Sequence, residues 1–141
     1  MKNIIEHWDE QHGVARCVIN YKSSSGLLIQ GIGIAECSPD DLDFMSALTG
    51  GMIAEYRAEI DLLKKINAYE IRPGIAALKH TYCTMSHSKK YNPKSYEAIR
   101  LKKEIAHMLD ELEENKMAIQ DLKNSLSKFI SDKDALYKRI R

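Results

Sequence analysis

Apolar residues fall in two dense runs near the N-terminus and in helical steps over the remainder of the chain. Val14–Tyr21 and Leu27–Ala35 are rich in β-branched and aromatic residues, which predicts two strands. Lys22-Ser23-Ser24-Ser25-Gly26 between them is a polar turn ending in glycine, so the strands should form an antiparallel hairpin. Ile4–Asp9 predicts a third strand. Gly31 and Gly33 interrupt the second run and mark a bulge or a close approach of another backbone.

The period then changes. Ser38-Pro39-Asp40-Asp41 has the form of a helix start, with an N-cap serine, proline at the first helical position and acids in the first turn. Met45, Leu48, Met52, Tyr56, Ile60, Leu63 and Ile66 follow in steps of three and four, which predicts a helix to about Tyr69. Gly50-Gly51 inside it marks a kink or a close backbone contact. Arg72-Pro73-Gly74 reads as a break, with a second helix from about Pro73 to Ser86. Residues 86–94 form a polar loop that ends at Pro93, and Ser95 can cap a third helix.

That last helix has a heptad pattern. One seam position holds Ile105, Leu112, Ile119, Leu126, Lys133 and Ile140, and the other holds Leu101, Met108, Asn115, Leu122, Phe129 and Leu136. A straight helix of about 45 residues is roughly 67 Å long. A compact chain of this size has a radius of gyration of only about 14 Å. The seam is therefore expected to pair with other chains, unless the helix folds back. The fold class is α+β in a single domain: a β-sheet region over 1–37, a helical region with a ligand loop over 38–94, and a long coiled-coil-like helix over 95–141.

Composition narrows the class. The 141 residues suffice for one domain, and no run of 18 apolar residues offers a membrane span. The acidic, weakly apolar N-terminus does not resemble a signal peptide. Cys17, Cys37 and Cys83 are odd in number and widely spaced, which points to buried thiols in a reducing cytoplasm. The five histidines show no metal-binding spacing. The net charge is only +1, yet residues 79–103 carry seven basic side chains against Glu97 alone. An anionic ligand would be drawn to that segment, or it is a solvated basic loop.

Enzyme motifs are missing: there is no GxSxG, no P-loop and no zinc spacing, and Gly31-Ile32-Gly33 lies within a strand. No enzyme activity, cofactor or metal is expected. Residues 81–96 instead combine Tyr82, Tyr91 and Tyr96 with lysines, Asn92 and several hydroxyls. Aromatic faces stack bases, an amide matches an adenine edge, and a helix N-terminus near Ser95 favours a phosphate. Alternatively, Tyr82 and Tyr96 are core or interface aromatics and Asn92-Pro93 is a turn. Arg57 can hold a phosphate with its fork of donors, or pair with Asp61 one helical turn away.

Four stretches resemble the phage-encoded Thoeris anti-defence protein 1 family. They are Gly31–Asp41, Ser46–Arg57, Ile71–Pro73 and Ser88–Tyr96, with the Lys90-Tyr91-Asn92 stretch and the helix-start block the most specific. The resemblance implies a non-enzymatic sponge that binds cyclic ADP-ribose isomers, such as glycocyclic ADP-ribose, in the host bacterial cytoplasm. It implies dimers that assemble further into hexamers, with the ligand at the dimer interface. It makes Tyr82 and Asn92 ligand contacts, Arg57 a phosphate contact, and Tyr91 and Arg72 weaker additions. Some members also hold cyclic oligonucleotides through arginines of the last helix. Here that helix offers Arg100, Lys102 and Lys103, followed by an apolar and acidic stretch. The competing readings are a nucleic-acid binder built on the basic segment and a coiled-coil assembly protein of a phage.

Overall fold

The computed structural model describes residues 2–36 and 47–140, apart from the side chains of Ala47, Tyr137 and Ile140. Three antiparallel strands come first: β1 (Lys2–Asp9), β2 (Val14–Lys22) and β3 (Leu28–Glu36), in the spatial order β1-β2-β3. Helices α1 (Ala47–Ile66), α2 (Arg72–Ser86) and α3 (Tyr96–Ile140) follow, giving the expected α+β arrangement. The helix start at Ser38–Asp41, together with Cys37, Met45 and the side chain of Ile140, lies outside the described residues.

The β2–β3 turn forms as its sequence predicts. Ser23 is buried; its N–H donates to the Leu27 carbonyl at 2.9 Å and its hydroxyl accepts from the Leu27 N–H at 3.0 Å. Gly26 has φ +90°, where a side chain would be strained. Burial alternates along β3, so Ile29, Gly31, Gly33 and Ala35 face α1 while Leu28, Ile32 and Ile34 face away. The two strand glycines serve a close contact. A Cβ at Gly33 would strike the backbone of Ala54 and Ala58, and one at Gly31 would strike Ala58 and Leu62. Helix α1 therefore lies directly on β3, with Ala54, Ala58 and Leu62 closing the core over Cys17 and Ile19.

The predicted break at Arg72-Pro73-Gly74 is absent. α1 and α2 are joined by a π-helical turn, Asn67–Ile71, in which the Arg72 N–H donates to the Asn67 carbonyl five residues back. Pro73 follows directly at the start of α2 and has no N–H to donate back into the turn, yet the helix runs on through it. Residues 47–86 thus form one long helical arm.

Helix α3 returns antiparallel along that arm. Phe129 meets Tyr56 at a ring separation of 6.3 Å, the Asn115 amide donates to Asn67 Oδ1 at 3.0 Å, and Met108 lies against Gly74. The predicted seam faces this contact: from Leu101 to Lys133 every seam position is at least half-buried. The expectation that one copy cannot cover the seam is corrected. The π turn lets α1 and α2 act as a single partner of nearly matching length. The polar seam position Asn115 also finds its partner in the same chain, at the π turn.

Candidate functional site

Helices α2 and α3 meet at a corner, residues 87–95, which is the far end of the helical hairpin from the sheet. Three local bonds build it. The Ser95 hydroxyl accepts from the Ala98 N–H at 3.3 Å and caps α3 as expected. Asn92 Oδ1 accepts from the Lys94 N–H at 3.0 Å, and the Asn92 carbonyl accepts from the Ser95 N–H. Asn92 therefore does form the turn of the alternative reading. Its side-chain oxygen is partly engaged there, while the residue as a whole is exposed.

Tyr82 and Tyr91 come together at this corner. Their hydroxyls are 2.8 Å apart and their rings meet edge to face, with centroids separated by 6.3 Å. The Lys102 ammonium lies over the Tyr82 ring, 5.6 Å from its centre. The hydrogen bond from Tyr91 and the nearby Lys102 charge hold the Tyr82 phenol below its usual range. The same bond shifts the Tyr91 phenol upward. The pair, half-buried, presents aromatic faces and two hydroxyls beside an exposed cation. Tyr96, one residue past the α3 cap, is exposed and is not a core aromatic. All seven basic side chains of residues 79–103 are exposed around this end of the hairpin.

Arg57 and Arg72 lie elsewhere. Arg57 donates from a guanidinium nitrogen to the Ile34 carbonyl at 2.6 Å, and not to Asp61 as the surface-pair alternative had it. Asp61 accepts from the Ile32 N–H at 2.8 Å and pairs with Lys65 at the same distance. Lys65 in turn donates to the Gln30 carbonyl. Arg57, Asp61 and Lys65 recur every four residues and cap the outward backbone groups of edge strand β3. Twenty-five residues of helix separate Arg57 from Tyr82, roughly 37 Å at about 1.5 Å each. Arg72 is exposed, ten residues before Tyr82 on the same arm. One protomer brings Tyr82, Tyr91 and Asn92 together and leaves Arg57 and Arg72 apart from them.

The spacing Cys83–His87 is a pairing that sequence reasoning passed over. Cys83 is exposed, contrary to the expectation of buried thiols, and its Sγ is 3.8 Å from His87 Nδ1. The same Nδ1 lies 2.7 Å from the Cys83 carbonyl, which assigns its proton to that bond. A protonated Nδ1 cannot accept the thiol proton, so His87 closes the end of α2 and does not activate a nucleophile. Among the described residues, no group of three or more histidines, cysteines and carboxylates could hold a metal ion. No described helix is long and apolar enough to cross a membrane. Comparison with protein-family models, curated proteins and solved structures finds no match to this chain.

Proposed function

We propose that this chain binds and sequesters cyclic ADP-ribose isomers, without cleaving them, as a phage defence against the Thoeris immunity of its bacterial host. The observation that carries the reading is the half-buried tyrosine pair Tyr82–Tyr91 with the exposed Lys102 and Asn92 beside it, set in the most basic segment of the chain. An aromatic edge-and-face pair suits an adenine, and the surrounding lysines suit a diphosphate. Withholding a scarce signal calls for nanomolar affinity, about −12 kcal/mol, and a nucleotide-sized ligand reaches that only when most of its surface is buried. An open corner on one protomer does not bury that much. The reading therefore places the ligand between protomers, with Arg57 supplied by a different chain from Tyr82 and Asn92.

Calorimetry with a purified cyclic ADP-ribose isomer tests this. Tight binding is expected in the parent chain, with a loss of at least tenfold in Tyr82→Ala and in Asn92→Ala, and with the ligand recovered intact after heating. Unaltered binding in both variants, or a hydrolysed ligand, rejects the site. A second reading, nucleic-acid binding, is favoured by the seven exposed cations around the same corner. It predicts affinity for many sequences that falls steeply with salt and does not depend on Asn92.

A further inference from the structure

Lys102 is held differently from the other cations of residues 79–103. Arg100 is ion-paired, with Glu104 at 3.7 Å. Among the described residues no carboxylate pairs with Lys102. Its ammonium lies instead over the Tyr82 ring, 5.6 Å from the centroid. The helices set up this contact: Tyr82 stands near the end of α2 and Lys102 near the start of α3, so each reaches across the corner where the two helices meet. The Tyr91 hydroxyl, 2.8 Å from that of Tyr82, and the edge-to-face packing of the two rings hold the Tyr82 ring beside the ammonium. Among the described residues the other cation on a ring is Lys133 on Phe129, much further along α3.

A base that stacks on Tyr82 needs a ring face, and Lys102 stands on one. An ammonium on an exposed tyrosine face is held less firmly than a stacked base, so the base displaces the cation and is not kept out by it. Lysine carries its charge on a flexible stem, as a compact ammonium with three donors and no fixed plane. Once released it turns to the nearest anion. No carboxylate pairs with it, so its departure breaks no ion pair. When the ligand carries a diphosphate beside its base, the anion arrives together with the group that takes the ring.

We propose that Lys102 is an exchanged contact by which the corner tells a phosphorylated nucleotide from a bare nucleoside: the base takes the place of Lys102 on Tyr82, and the diphosphate takes Lys102. The inference rests on the nucleotide reading of the corner and deepens it. A nucleoside must evict the cation and offers it nothing in return. Inorganic diphosphate draws the cation away and leaves the ring bare. A ligand with both groups replaces each half of the Lys102–Tyr82 contact. The other cations of the segment attract every anion alike, through charge that salt screens, and so do not discriminate in this way.

Equilibrium dialysis of adenosine, inorganic diphosphate and glycocyclic ADP-ribose against the parent, Lys102→Ala and Lys102→Arg tests the exchange. In Lys102→Ala, adenosine is expected to bind about two- to fivefold tighter, the worth of an exposed cation on a ring. Diphosphate and glycocyclic ADP-ribose are expected to bind about threefold weaker or worse. Lys102→Arg keeps a cation that both stacks and binds phosphate, so it should return adenosine to the parent level or below and restore most of the binding of the two anions. The opposite signs for adenosine and the anions are the signature. A lysine that acts as surface charge alone weakens the anions and leaves adenosine unchanged. A lysine that merely props the Tyr82 ring weakens all three. Adenosine bound no tighter by Lys102→Ala than by the parent overturns the exchange, and the nucleotide reading then stands as long as the parent binds glycocyclic ADP-ribose. A parent that binds neither adenosine nor glycocyclic ADP-ribose overturns both.

Discussion

The two ends of the helical hairpin are built from different materials. At the sheet end, α1 lies on β3 at glycine distance, and Ala54, Ala58 and Leu62 are buried against Cys17, Ile19 and Ile29. At the corner end, Ala98 and Leu101 are the buried side chains near the turn, and the rest of the contact is made by a half-buried tyrosine pair, an exposed lysine and the turn at Asn92. Burial of apolar area drives folding, so stability resides at the sheet end. Polar and aromatic groups left in water contribute little to stability and remain available to a ligand. Substitutions at the two ends should therefore separate cleanly, with stability lost at one end and binding at the other.

The largest effect is expected at Gly33. A methyl group there would meet the backbone of Ala54 and Ala58, which cannot rotate away as a side chain can. Gly33→Ala must lift α1 from the sheet and should cost about 3 kcal/mol or more. Gly51 is the matched control, because a Cβ at that helical position meets nothing within 4 Å. Gly51→Ala should stabilise the chain by about 0.5–1 kcal/mol through helix propensity. Urea unfolding of the two variants reads both signs. A Gly33→Ala chain as stable as the parent would show that the helix does not press on the strand.

A middle-sized effect belongs to Cys17, fully buried on the central strand. Burial, followed by the carboxylates of Glu6, Glu55 and Glu59, pushes its thiol from 9.0 up to about 11. In the unfolded chain the thiol ionises near its ordinary value, while in the folded chain it stays protonated until higher pH. Folding is thus undisturbed below pH 9 and weakens as pH rises from about 9 to about 11, by about 2–3 kcal/mol. Lysines and tyrosines titrate in the same window, so the measurement is a difference. The unfolding free energy of Cys17→Ala should fall less steeply with pH than that of the parent. Parallel curves for the two chains would remove Cys17 as the cause.

Local signals in the sequence explain which parts of this arrangement were readable. The strands, the Ser23–Leu27 turn and the Ser95 cap depend on neighbouring residues, and each formed where its residues indicated. The heptad of α3 was also legible, since its period reports one face whatever lies against it. What covers that face is a long-range matter. The answer turned on residues 67–71, where a π turn replaced an expected break, and no local pattern announces a π turn. Proline at position 73 reads the same way whether it stops a helix or opens the next one. At the candidate site, Tyr82 and Tyr91 are nine residues apart across a loop, and their meeting follows from the corner's geometry. The role of Arg57 at the β3 edge needed the strand order, which the spacing of Arg57, Asp61 and Lys65 does not reveal alone.

The smallest effect lies at the corner and concerns ionisation more than stability. Tyr82 is held below its usual range first by the hydrogen bond from Tyr91 and then by Lys102. Phenolate absorbance against pH should show one tyrosine ionising ahead of the others. Lys102→Ala should move that step upward, and Tyr91→Phe should move it further, because Tyr91 is the larger cause. A lowered folded value adds stability only as pH rises toward the ordinary phenol range. At neutral pH both states hold the proton, so neither substitution should change the unfolding free energy appreciably through ionisation. A large loss at neutral pH would mean that the tyrosine pair fastens α2 to α3, and the division between a stabilising end and a binding end would fail at that point.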